Sequence, residues 1–185
     1  MGIDDLVFIS GNQNKIAFLS SWLGHPVNHQ KLDLDEIQSL DPHVVAEHKV
    51  KQAYDLLHQP VLVEDAGLRF TALGRLPGTF VKWFIEEVGY DGLLQIVNGL
   101  EHRGAEAHLC YALYDGTHLH YFDGQMKGTI AREPKGTNGF GFDPIFINDG
   151  YTKTRGEMTD EEYQATSYRT DGLNKLKAFL EAQHA

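Results

Sequence analysis

The chain has 185 residues, the length of one ordinary domain, with 16 Lys and Arg against 26 Asp and Glu, hence a formal charge of −10. That balance argues against a protein held to nucleic acid polymers by general attraction to phosphate. With 42% hydrophobic and 23% charged residues the sequence reads as a globular chain, and no apolar run approaches the roughly 20 residues that span a bilayer.

The first residues lack the basic-then-apolar layout of a secretory signal, and the single cysteine, Cys110, cannot pair within the chain. A reducing, cytoplasmic setting is therefore expected.

Leu6-Val7-Phe8-Ile9 is a short apolar run ending in Ser10-Gly11-Asn12, which predicts a buried strand feeding a turn. A helix follows, because Ile16, Leu19 and Leu23 recur at helical spacing before Gly24 and Pro26 stop it. Asp41-Pro42 reads as an N-cap with a first-turn proline, and Val50, Ala53, Tyr54 and Leu57 extend that helix. Val61-Leu62-Val63 predicts a second buried strand, ending in the acidic pair Glu64-Asp65. Two strands that each deliver polar residues at their C-terminal ends suggest an α/β domain.

A helix from about Phe80 to Val88 and a second after Asp91, stopping near Gly99, come next. Leu109 to Tyr114 reads as a strand, Asp115-Gly116 as a hairpin turn, and His118 to Phe122 as the returning partner. Thr159 and Glu162 have capping-box spacing, and Leu173, Leu176 and Leu180 mark a final helix. No repeat or linker divides the chain, so one mixed α/β domain spanning 1–185 is expected, with a sheet flanked by helices.

Four segments could carry chemistry. Ser10-Gly11-Asn12-Gln13-Asn14-Lys15 lies between a strand and a helix, where backbone N–H groups and a lysine favour an anion. It lacks the GxxxxGK[ST] pattern and reads equally as a capped turn with a surface lysine. Glu36, Glu64 and Asp65 are carboxylates of the kind that suit Mg²⁺, a hard ion with a preference for oxygen. The glycines of Gly136 to Asp143 would let the backbone close round a planar ligand with a phenyl ring to stack on it; a structural turn is the other reading. In Ser167-Tyr168-Arg169 a guanidinium could meet a base edge. None of the ten histidines has the HExxH or Cys/His spacing of a zinc site, and Cys110 in an apolar strand reads as a buried, inert thiol.

Taken in order, these segments resemble the inosine triphosphate pyrophosphatases, which remove deaminated purine nucleotides. The resemblance covers nearly the whole chain: Phe8 to Lys15, Leu34 to Gln38, Val61 to Leu68, Ala72 to Phe84 and Gly139 to Phe146. It implies hydrolysis between the α and β phosphates of a nucleoside triphosphate, with Mg²⁺ required. It also implies a mixed α/β fold in two lobes with the active-site cleft between them, and a homodimer.

By the same resemblance, Ser10, Gly11, Asn12, Gln13, Asn14 and Lys15 match the triphosphate loop, and Lys49 a second phosphate-holding lysine. Glu36 and Asp65 match the metal ligands, with Asp65 also the proton acceptor. Ala66, Lys82, Phe140, Gly141, Phe142, Asp143 and Arg169 match further substrate-binding positions, Phe140 being the stacking ring. Where the family reads Lys and His near its C-terminus, this chain has Tyr163 and Tyr168. A tyrosine hydroxyl keeps one hydrogen bond but not the lysine charge, so the base half of the site is altered while the phosphate half is intact.

Three readings follow. The first is a pyrophosphatase acting on inosine and xanthosine triphosphates and their deoxy forms. The second is the same chemistry with a shifted base preference, and the third a nucleotide-binding regulatory protein without turnover.

Overall fold

A computed structural model describes residues 2–183; the ends of the expected domain, residue 1 and residues 184–185, lie outside the described residues. Among the described residues there are seven strands and five α-helices, and the strands form one mixed sheet. The described residues divide into two compact units, the first made of residues 2–65, 109–124 and 169–183, the second of 66–108 and 125–168.

In the first unit β1 (Val7–Ile9) pairs in parallel with β2 (His29–Gln30) on one side and with the start of β3 (Val61–Phe70) on the other. All three β1 residues are buried, as expected of a parallel strand covered on both faces. Helix α1 (Gln13–Leu23) ends at Gly24, which takes the left-handed conformation usual at a helix C-terminus. Helix α2 (Pro42–Leu57) starts as the sequence predicts: the Asp41 side chain accepts from the His43 N–H at 3.0 Å, and Pro42 occupies the first turn.

Ala46, Val50 and Ala53 of α2 pack on Val7, Ile9, Val61 and Val63, with Cys110 and Ala112 of β5 (Gly104–Tyr114) in the same cluster. Two alanines on the buried face let the helix backbone lie close to the sheet. The turn between β5 and β6 (Leu119–Ile130) is closed by Asp115, whose Oδ1 accepts from the N–H groups of Thr117 and His118. Helix α5 (Tyr168–Ala182) buries Leu173, Leu176 and Leu180, the three leucines that predict it.

In the second unit the far part of β3 pairs antiparallel with the short β4 (Pro77–Gly78), and β6 pairs antiparallel with β7 (Phe146–Asn148). Gly67 sits where a Cβ would lie 2.8 Å from both the Gly78 carbonyl carbon and His108 Nε2, so only glycine fits there. Helix α3 (Val81–Asn98) is broken at Gly89, whose φ of 67° and ψ of −174° are not helical. The two helices expected on either side of residues 88–91 are thus the two halves of α3. Helix α4 (Asp160–Ala165) begins with the expected capping box: Thr159 N donates to Glu162 Oε2 at 2.9 Å and Glu162 N to Thr159 Oγ1 at 3.3 Å.

One expectation is corrected. The acidic pair Glu64-Asp65 does not end a strand; β3 runs on to Phe70, which places both carboxylates in mid-strand, buried.

Candidate active site

In the first unit β1 leads into the loop that contains Ser10, Gly11 and Asn12. Ser10 Oγ accepts from Asn12 N at 3.1 Å. Asn12 caps α1, its Oδ1 accepting from the N–H groups of Asn14 at 2.9 Å and Lys15 at 3.4 Å. Gly11, Asn12, Gln13 and Asn14 are exposed, while Lys15 turns inward. Its Nζ donates to the Glu64 carbonyl at 3.0 Å and lies 3.3 Å from Glu64 Oε1. Lys15 is therefore not a surface lysine at a turn, since it is tied to a buried acid.

Glu64 is held from three sides. Besides Lys15, Arg169 Nε lies 3.3 Å from Oε1, and the Tyr111 hydroxyl donates to Oε2 at 2.9 Å. Burial alone would raise the Glu64 pKa, but Arg169, Lys15 and Tyr111 outweigh it and hold the carboxyl below its ordinary range. An acid so fully engaged is a charged anchor that fixes Lys15 and Arg169, and it has little left to offer a metal ion.

Asp65 has a different environment. Lys49 Nζ lies 2.7 Å from Glu36 Oε1 and 3.5 Å from Asp65 Oδ1, so one ammonium links the two carboxylates. Burial raises the Asp65 pKa above its ordinary value, Lys15 and Lys49 offset this only in part, and Glu36 adds to the rise. Asp65 Oδ2 is buried and makes no hydrogen bond among the described residues. A buried carboxylate oxygen without a donor costs free energy unless something else meets it. Glu36 and Asp65 supply oxygen donors only, the set a Mg²⁺ ion prefers, and the unsatisfied oxygen fits such a ligand.

In the second unit Asp143 organises the glycine-rich loop. Its Oδ2 accepts from Phe140 N at 2.8 Å and from the Tyr163 hydroxyl at 2.7 Å, and its Oδ1 from Arg155 Nε at 2.9 Å. Arg155 is fully buried, stacks on the Tyr163 ring at 4.1 Å, and donates to Thr166 Oγ1 at 3.1 Å. Gly139 is left-handed, and a Cβ there would collide with the Asp143 carboxylate. The Tyr90 hydroxyl fixes the Gly141 carbonyl at 2.6 Å. Phe142 is buried between Phe146 and Tyr168, whereas Phe140 stays half-exposed.

The structure thus brings Lys15, Glu36, Lys49, Asp65 and Arg169 together in the first unit, and Phe140, Asp143 and Tyr163 in the second. Ala66 is half-buried on β3. Lys82 lies on α3, exposed and paired with Glu86 at 3.8 Å. Tyr111 and Arg155 are missing from the sequence reading. Tyr111 was hidden in an apolar strand, and nothing local marks Arg155 as the partner of Asp143.

Fold and site define a class of α/β proteins with a lysine–carboxylate centre at the head of a parallel strand pair. The Ham1 family model matches residues 6–179, and the chain belongs to that family. It is 38% identical to the inosine triphosphate pyrophosphatase of Schizosaccharomyces pombe, over 98% of this chain and 97% of that protein. It is 35% identical to the dITP/XTP pyrophosphatase of Thermococcus kodakarensis, over 95% of this chain and 96% of that one. Among solved structures, the Staphylococcus aureus Ham1 protein superposes with a TM-score of 0.81 at 26% identity, covering 96% of this chain and 98% of that chain.

Proposed function

We propose that the protein hydrolyses the α–β phosphoanhydride of inosine and xanthosine triphosphates and their deoxy forms, giving the monophosphate and pyrophosphate. The observation that carries this reading is Asp65: buried, with a raised pKa and an unpartnered Oδ2, beside Lys49 and Glu36. Relatives that match the chain from end to end carry the same activity in their names.

Glu36 and Asp65 would hold Mg²⁺, which would supply positive charge for the phosphates and for the pyrophosphate that leaves. The protein's own groups do the rest. Lys15 and Lys49 supply positive charge to the phosphate chain, and the loop from Ser10 to Asn14 offers it backbone and side-chain donors. Asp65 accepts the proton of the attacking water, a role that a raised carboxylate pKa favours. In the second unit Phe140, Phe142, Asp143, Tyr163 and Tyr168 are the residues proposed to meet the base, Phe140 by stacking, and Arg169 is the base-binding residue proposed in the first.

A shifted base preference is the second reading, and Tyr163 favours it. Its hydroxyl is engaged by Asp143, so it gives the base neither charge nor the hydrogen bonding of a lysine.

Two further points belong to the same reading. The protein acts in the cytoplasm as a homodimer. Exposed Leu76, Trp83 and Val88 in the second unit offer apolar surface for a second copy. Among the described residues no helix is long and apolar enough to cross a membrane.

The test is pyrophosphate release with and without Mg²⁺ across inosine, xanthosine, guanosine, adenosine and pyrimidine triphosphates. Release from inosine or xanthosine triphosphate in preference to the others supports the first reading. Preference for another base selects the second, and binding without release from any nucleotide leaves a regulatory protein.

A further inference from the structure

Outside the site just described, the first unit holds a second cluster of metal-ligating side chains on α2, β5 and β6. The His43 imidazole, the Cys110 thiol and an Asp123 carboxylate oxygen all lie within 4.8 Å of one another, and they are the one such group among the described residues. His43 Nε2 is 2.6 Å from Asp123 Oδ1, and the Cys110 thiol is hydrogen-bonded to the Asp123 side chain. Cys110 is fully buried, while His43 and Asp123 are half-buried.

We propose that His43, Cys110 and Asp123 form a binding site for a thiophilic divalent cation of the Zn²⁺ class. The donor set sorts the ions: thiolate and imidazole favour Zn²⁺ and disfavour Mg²⁺. Distances fit as well. Tetrahedral zinc, with Zn–S about 2.3 Å and Zn–N and Zn–O about 2.0–2.2 Å, sets its donor atoms roughly 3.3–3.6 Å apart. All three atoms already lie inside a 4.8 Å span, and the His43–Asp123 pair, now 2.6 Å apart, has to open to reach that spacing.

The surroundings hold the donors in place. The His43 ring stacks on Tyr121, with centroids 4.4 Å apart and planes 3° from parallel, and the Tyr121 hydroxyl donates to Glu47 at 2.9 Å. Lys175 Nζ donates to the Asp123 backbone carbonyl at 2.6 Å, which fixes β6 there without occupying the carboxylate. On binding, Cys110 loses its thiol proton to solvent and His43 coordinates through a neutral Nε2. One thiolate and one carboxylate then balance the charge of the ion, and a fourth position is left for water. Positions 43, 110 and 123 are too far apart in sequence for any spacing motif, so only the fold reveals the group.

The test uses metal-free full-length protein titrated with Co²⁺ in excess Mg²⁺, which keeps the hard-ion site at Glu36 and Asp65 occupied. The expected result is one equivalent of Co²⁺ with a thiolate-to-cobalt charge-transfer band, displaced by Zn²⁺ and not by more Mg²⁺. Cys110→Ser should abolish the band. His43→Ala and Asp123→Asn, both at half-buried positions, should each weaken binding by roughly tenfold or more, and they carry the test if the Cys110 variant does not fold. No charge-transfer band, a band that survives Cys110→Ser, or an affinity unchanged in the other two variants would overturn the proposal.

Discussion

Glu64 and Asp65 are consecutive on β3 and so point to opposite faces of the sheet, and their carboxyl groups are driven in opposite directions. Burial raises both, but Glu64 meets Arg169, Lys15 and Tyr111 while Asp65, offset only in part by Lys15 and Lys49, keeps an oxygen unpartnered. One position contributes to the stability of the fold. Its neighbour is left costly to ionise, which is the condition of a group kept for chemistry.

Asp65→Asn should reduce turnover by at least about 10²-fold, the lower range for a positioned acid–base group. The same change should raise the melting temperature of the Mg²⁺-free protein at neutral pH, because the native state no longer holds a charge it disfavours. A ligand at a hundred times its dissociation constant stabilises by about 2.7 kcal/mol, so Mg²⁺ should raise the melting temperature of the unmodified protein by several degrees and that of the variant hardly at all. Calorimetry with and without Mg²⁺, alongside pyrophosphate release, checks all three. Near-normal turnover in the folded variant would remove Asp65 from its role.

Glu64 sets an acid limit. Its folded pKa lies below its ordinary value of 4.5, so the stability it contributes is complete above that pH and is lost as pH falls through the folded value. Glu64→Gln should cost about 3 kcal/mol at neutral pH, since it leaves Arg169 and Lys15 beside a neutral group. The gap in melting temperature between the two proteins should narrow below pH 4.5. A gap that stays constant down to the acid transition would show that Glu64 is not the group responsible.

Tyr163→Phe keeps the ring on which Arg155 stacks but deprives Asp143 of a donor, and should destabilise by about 1–3 kcal/mol. Tyr163→Lys with Tyr168→His should widen the preference for inosine over adenosine triphosphate, because a site with more buried groups to satisfy rejects the wrong edge more strongly. The ratio of kcat/KM values for the two nucleotides in both proteins is the measurement. A ratio that stays equal or falls would mean the tyrosines already select the base.

His58 closes α2 at φ 52°, a left-handed conformation that a side chain adopts at a cost. His58→Gly should stabilise the protein by about 0.5–1 kcal/mol, seen as a melting temperature higher by a few degrees with kinetics unchanged. An unchanged or lower melting temperature would show that the histidine side chain offsets its strain through other contacts.

Local signals were easy to read. The Asp41-Pro42 start of α2, the Asp115 turn and the Thr159–Glu162 cap each depend on residues within three positions of one another. The course of β3 was not legible, because two acids after Val63 look like the end of a buried strand. What lets β3 continue is distant in sequence: Tyr111 is 47 positions from Glu64, Lys15 is 49 and Arg169 is 105. Glycines 139 and 141 could be read as freedom to wrap a ligand, whereas the reason for the loop's shape, the bond between Asp143 and buried Arg155, needed the fold. Carboxylate partners are long-range information, and periodicity carries none of it.

The Asn12 cap has a kinetic consequence. Its carboxamide already holds the N–H groups of Asn14 and Lys15, so an anion arriving at that turn exchanges one acceptor for another and does not have to organise the chain. The entropy lost in ordering the loop therefore belongs to folding and not to association. If this turn holds phosphate as proposed above, encounter would be governed by diffusion and charge, with no slow rearrangement of the turn ahead of it, and the loop should rank among the rigid parts of the ligand-free molecule.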